Sequence, residues 1–205
     1  MKKILFCNIP MTNNTDKHIY SSEDKSISAS KTPVYYPVSA FLERNLKHGD
    51  ELKVVLLAKQ DEYGQFKCNI DKCIEEMNAV SELTGAQLRY KVIETRFSED
   101  QSTHDGLLSM IVDELEEKAH ILADITYGPK DLPIVLFTAM NFSEKFLGCE
   151  IDNILYGQAV FSNGKVVSTR ICDMIPLYCL NSLTNTIQCS DPEDAKKILK
   201  ALLSI

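Results

Sequence analysis

Several signatures are missing from this chain, and each absence removes a class of protein. No run of eighteen apolar residues occurs, so no membrane-spanning helix is expected, and the apolar part of residues 1–8 is too short for a signal peptide. The expected setting is the cytosol, without a membrane partner. There is no glycine before Gly49, so the loop after the first strand cannot carry a Gly-x-Gly-x-x-Gly fingerprint, and no Walker A sequence occurs at any position. Dinucleotide-dependent and ordinary nucleoside-triphosphatase readings thereby lose their best support. Basic residues are also scarce: 22 Lys and Arg stand against 29 Asp and Glu, a net charge of -7. A duplex DNA or RNA binder neutralises many phosphates with clustered cations, which this balance does not provide. A small anionic ligand needs only backbone amides and a helix N-terminus, so it stays open.

Metal and hydrolytic signatures are absent as well. The seven cysteines are odd in number and scattered, and the close pair Cys68 and Cys73 has neither a second pair nor a neighbouring histidine at ligand spacing. Reduced, buried cysteines and no metal or other cofactor are expected. His18, His48, His104 and His120 show no Ser, Cys or carboxylate at a recognisable catalytic spacing, so no hydrolytic triad is read from them.

What is present is a chain of 205 residues, 44% apolar and 25% charged, enough for one well-packed domain. Apolar runs at residues 3–8, 51–59, 88–95, 119–126 and 149–156 predict strands. Between them, 3.6-residue spacing predicts helices over 34–47, 70–83, 107–115 and 132–146, with Ser102, Thr103 and Asp105 as candidate caps of the third. Strands alternating with helices require parallel crossovers. The fold class is therefore α/β, a Rossmann-like doubly wound sheet of mainly parallel strands. After Gly157, runs at 158–161 and 166–171 flank Ser162-Asn163-Gly164 as a hairpin, and residues 175–186 and 192–203 read as two helices. Residues 1–175 form the expected domain, with 176–205 as a helical extension of it. Residues 9–33 make an unusually long polar loop, either a lid over a site or an excursion.

Ligands of open parallel sheets bind outside the carboxyl ends of the strands, which points to three corners. The first is Pro10, Met11, Thr12, Asn13 and Asn14, rich in side-chain donors. The second runs from Asp124 through Thr126, Tyr127, Gly128, Pro129 and Lys130 into a helix, where free amides, Thr126 and the Lys130 ammonium would face a phosphate. Asp124 has the competing role of capping backbone amides in the turn. The third is Tyr156-Gly157-Gln158, where Gly157 would permit close backbone approach and Gln158 would read a base or ribose edge.

The second corner, Asp124-Ile125-Thr126-Tyr127-Gly128 followed by Lys130 and Leu132-Pro133, resembles the Asp-x-Thr-His-Gly-Phe-Arg-x-Leu-Pro signature of CRISPR-associated Rossmann-fold (CARF) proteins. Ile154-Leu155-Tyr156-Gly157 resembles that family's Tyr-Gly strand end, and the likeness covers roughly residues 1–175. Tyr127 stands where the family usually has His, Lys130 where it often has Arg, and Thr12, Asn13 and Asn14 replace a Gly-Thr-Gly pattern. The resemblance implies a homodimer that binds a cyclic oligoadenylate, the second messenger of type III CRISPR antiviral immunity, with cyclic tetra-adenylate the foremost ring. It leaves two roles open: a stand-alone sensor acting through a separate effector protein, or a metal-independent ring nuclease. In the nuclease, Thr126, Tyr127 and Lys130 would orient groups and stabilise phosphate charge while a 2′,3′-cyclic phosphate forms. A flavodoxin-like nucleotide enzyme is the reading from outside that family.

Overall fold

The computed structural model describes residues 2–12, 15–23, 27, 29–60 and 67–203. It contains β1 (Lys2–Asn8), α1 (Pro37–Asn45), β2 (Glu51–Gln60), α2 (Lys67–Thr84), β3 (Gln87–Arg96), α3 (Gln101–Asp113), β4 (His120–Asp124) and α4 (Asp131–Phe142). These are followed by β5 (Glu150–Ser162), β6 (Lys165–Asp173), α5 (Ile175–Thr186) and α6 (Pro192–Leu203). The strands form one six-stranded sheet in the order β3-β2-β1-β4-β5-β6, parallel except for β6, which runs antiparallel to β5. The Rossmann-like doubly wound α/β class read from the alternation is the observed one.

Burial follows from this layering. β1 from Ile4 and β2 from Val54 are continuously buried because helices cover both faces of the central strands, whereas β3, at the edge, alternates. Leu5, Cys7, Val54, Leu56 and Leu122 share one core with Val38, Phe41 and Leu42 of α1 and Cys73, Met77 and Val80 of α2. α3 and α4 pack on each other away from that core. The sheet is thus wound on both faces.

Three local expectations change. α3 starts earlier than its apolar face, capped by Asp100, whose carboxylate accepts the Thr103 amide at 2.9 Å; Ser102, Thr103 and Asp105 lie inside the helix. A carboxylate at the cap also suits the positive end of the helix dipole. α4 continues into a π-helical turn, Ser143–Leu147, stopped by Gly148 at φ 63. The strand at 149–156 and the first hairpin strand are one strand, β5, so Gly157 lies inside a strand and not at a turn.

The chain divides into two compact units, Met1–Asp173, which holds the whole sheet, and Met174–Ile205, which holds α5 and α6. No described helix is long and apolar enough to cross a membrane.

Candidate functional site

Strand order reverses between β1 and β4, so the crevice of this sheet lies outside Asn8 and Asp124. Three segments build walls there. The first follows β1: Ile9 donates its amide to the Leu57 carbonyl at 2.9 Å, and the buried Asn69 of α2 donates its side-chain amide to the Pro10 and Thr12 carbonyls at 2.8 and 2.9 Å. Pro10 is consequently buried, Met11 half-buried and Thr12 exposed. Asn13 and Asn14 lie outside the described residues.

The described part of the long segment between β1 and α1 is a built wall. His18 and Val34 exchange backbone hydrogen bonds at 2.9 Å each, Ser21 pairs with Thr169 and Ile171 of β6, and the Tyr20 and Ser30 backbones are tied at 2.8 Å. Tyr20, Ile27 and Val34 sit in the core. Neither alternative drawn from the sequence, lid or excursion, describes these residues.

The β4–α4 turn supplies the second wall. Asp124 is fully buried; its carboxylate accepts the Thr126 amide at 2.9 Å and the Val38 amide at 3.2 Å, the latter at the N-terminus of α1. Burial outweighs these bonds and pushes its carboxyl up to about 6. Asp124 therefore shapes the turn from beneath. Thr126 accepts the Gly157 amide on its hydroxyl oxygen at 2.8 Å. Tyr127 donates its hydroxyl to the Tyr35 carbonyl at 2.8 Å and stands edge-on to Tyr36, and burial raises its phenol far above the ordinary range. Gly128 takes φ 83, where an added Cβ would fall 2.8 Å from Leu132, so glycine is required twice over. Pro129 is half-buried and offers its carbonyl to the Leu132 amide at 3.3 Å. Lys130 is exposed at the cap position of α4.

The β5–β6 hairpin is the third wall. Gly157 is extended, and a Cβ there would meet Pro37 at 2.5 Å and Thr126 and Tyr20 at 3.0 Å; the close approach it permits is that of these three residues. Gln158 faces away, as strand alternation demands, and its side-chain oxygen accepts from Arg170 across the hairpin at 2.6 Å.

Between the walls lies a cavity of about 720 Å³, lined by Thr12, Thr15, Asp16, His18, Tyr20, Thr126, Tyr127, Tyr156, Gly157, Ala159, Phe161, Gly164, Lys165 and Val166. Thr12, Thr126, Tyr127 and Gly157 are thus brought together from three separate corners, while Lys130 and Gln158 do not line it. Sequence reading missed Tyr20, His18 and Lys165. Their only signal was membership of a polar loop and a hairpin, since the pairing of Ser21 with β6 joins residues far apart in the chain. Among the described lining residues there is one lysine and one carboxylate. Five aromatic rings counting His18, together with three threonine hydroxyls, make up most of the remainder.

On the opposite face, the ends of β1, β2 and β3 carry a second polar group. Lys59 is fully buried with its ammonium 2.6 Å from Asp131 at the start of α4, an ion pair not aligned as a directed hydrogen bond. His104 of α3 lies 3.7 Å from the same carboxylate oxygen. The pair ties the N-terminus of α4 to β2.

Neither a scan against family models nor a search of curated proteins finds a match for this chain.

Proposed function

We propose that this chain binds a cyclic oligoadenylate, cyclic tetra-adenylate foremost, in the cavity outside β1, β4 and β5, as a homodimeric sensor in type III CRISPR antiviral signalling. The carrying observation is the cavity's lining: aromatic rings for stacking bases, hydroxyls for ribose and phosphate edges, and a single lysine balanced by a single carboxylate. A volume of about 720 Å³ falls within the roughly 300–1,000 Å³ usual for small-ligand sites. A twofold ring shared by two copies suits a twofold assembly. The Asp124-x-Thr126-Tyr127-Gly128 corner, on which the family resemblance rests, forms one wall, and this placement supports the reading.

Calorimetric titration of the purified chain with cyclic tri-, tetra- and hexa-adenylate tests it, with sedimentation to count chains per ring. Lys165→Ala is expected to weaken binding about 10- to 100-fold, as loss of one charge-assisted contact does. Lys130→Ala, outside the cavity, is expected to change it little. Absence of binding by every ring, with flavin absorbance in the purified protein, would replace this reading by a flavodoxin-like one.

A further inference from the structure

Buried polar atoms with unmet hydrogen bonds gather at one place outside the cavity. Among the described residues, the buried side-chain nitrogens and oxygens without a hydrogen-bond partner all belong to Asn8, Lys59, Thr95 and Asp131. Register sets the first three on one face of the sheet: Asn8 pairs with Leu57, two residues before Lys59, and Lys59 pairs with Thr95. Their strands end where Asp131 opens α4 and His104 stands in the first turn of α3. Lys59 lies 2.6 Å from Asp131 Oδ2 and leaves Oδ1 with no donor. A carboxylate offers about four lone-pair sites, so this buried one has room for a second cation. Helix capping does not use the nearby carboxylates either, since Asp100 caps α3 and Asp131 accepts no amide at the start of α4. Instead, His104 Nε2 lies 3.2 Å from Glu99 Oε2 and 3.7 Å from Asp131 Oδ2, and one ligand atom from each of the three lies within 4.8 Å of the others.

We propose that Glu99, His104 and Asp131 hold a divalent first-row transition-metal ion, zinc foremost, across the starts of α3 and α4. This site is separate from the cavity and does not rest on the oligoadenylate reading. One imidazole nitrogen with two carboxylate oxygens suits zinc, whereas magnesium and calcium take oxygen alone. Bonds of about 2.0–2.2 Å at the tetrahedral angle set ligand atoms about 3.3–3.6 Å apart, close to the two separations from His104. Only Glu99 has to swing toward Asp131, and its side chain is mostly in solvent. Asp131 is the fixed ligand: it is buried, and Lys59 holds its Oδ2 from behind, as an outer partner orients a metal-bound carboxylate. Glu99 and the half-buried His104 form the outer side, so the ion enters from solvent, and three protein ligands leave it one position for water. Residues 99, 104 and 131 have no metal-ligand spacing in the sequence because the packing of α3 on α4 brings them together.

The experiment strips the full, tag-free chain with EDTA, removes the chelator, and titrates the reduced protein with zinc or cobalt chloride in excess magnesium, following heat, cobalt absorption and melting temperature. Wild type is expected to take up one zinc per chain and to melt at a higher temperature with it, as a ligand of the folded state requires. Its cobalt form is expected to show the visible bands of a four-coordinate nitrogen and oxygen site with no thiolate charge-transfer band. Glu99→Gln with His104→Ala is expected to weaken zinc binding more than about 100-fold, beyond the roughly 10- to 100-fold that an outer partner contributes. Glu99→Gln alone, on a mostly exposed side chain, is expected to weaken it at least about 10-fold, which keeps the test decisive should the double variant unfold. His120→Ala dismantles the other cluster of possible ligands among the described residues, His120, Glu150 and Asp152, and is expected to leave the affinity unchanged. No zinc uptake in excess magnesium, a thiolate band, or unchanged affinity in the Glu99 and His104 variants overturns the inference. Loss of binding in His120→Ala overturns it too, by moving the ion to that second cluster.

Discussion

Asp124 illustrates how one buried carboxylate both builds a corner and costs stability. Its bonds to the Thr126 and Val38 amides hold the turn and α1 in place, yet removal from water raises its carboxyl to about 6, from an ordinary value of about 3.9. The folded state therefore binds this proton more tightly than the unfolded chain. Its contribution to stability falls as pH rises through about 4 to 6 and is level above that, a change of about 3 kcal/mol for roughly two pKa units. The difference in unfolding free energy between wild type and Asp124→Asn, measured by urea titration across this window, is expected to decline accordingly; a flat difference would refute the assignment. Gly157 is constrained by contact and not by φ. Gly157→Ala presses a methyl against Pro37, Thr126 and Tyr20 and is expected to cost about 1–3 kcal/mol, read as a lower melting temperature.

Among elements, the helix termini of this unit are held from a distance. The Tyr35 and Tyr36 amides at the start of α1 are accepted by Glu76 of α2 at 2.8 and 2.9 Å, and the Val38 amide by Asp124 of β4. No side chain of α1's own neighbourhood caps it, which is why residue order around Tyr36 carried no cap signal. The start of α4 is tied by Lys59 to Asp131 in the same manner. Lys59→Met leaves the Asp131 carboxylate buried without its cation and is expected to cost about 3–5 kcal/mol in denaturant unfolding. The double change Lys59→Met with Asp131→Leu is expected to recover much of that loss, because it removes both charges. Equal costs for single and double variants would show that the pair does not act as a unit.

For the whole molecule, charge and architecture separate cleanly. A net charge of -7 surrounds a cavity with one lysine among its described lining residues, so that described lining offers no extended basic track. It is expected to pass through heparin resin at about 0.15 M salt, where a cationic groove would be retained. Retention would contradict the small-ligand reading.

Periodicity and composition were enough to read the α/β class, the parallel alternation, the closing hairpin and both C-terminal helices, because these depend on which face of each segment is apolar. The corner at Asp124, Thr126, Tyr127 and Gly128 was legible for the same local reason: a strand end, a glycine turn and a helix start lie within a few residues. What surrounds that corner was decided only by tertiary structure. Continuous β5 moved Gly157 from a turn into a strand, the alternation of β5 turned Gln158 away, and the exposed start of α4 left Lys130 outside the cavity. Pairing of Ser21 with β6 carried His18 and Tyr20 to the wall of a cavity that a lysine from the hairpin also lines. Hydrogen bonds between segments distant in the chain leave no periodic trace in either segment, so the composition of the cavity follows from the folded arrangement and not from the order of residues alone.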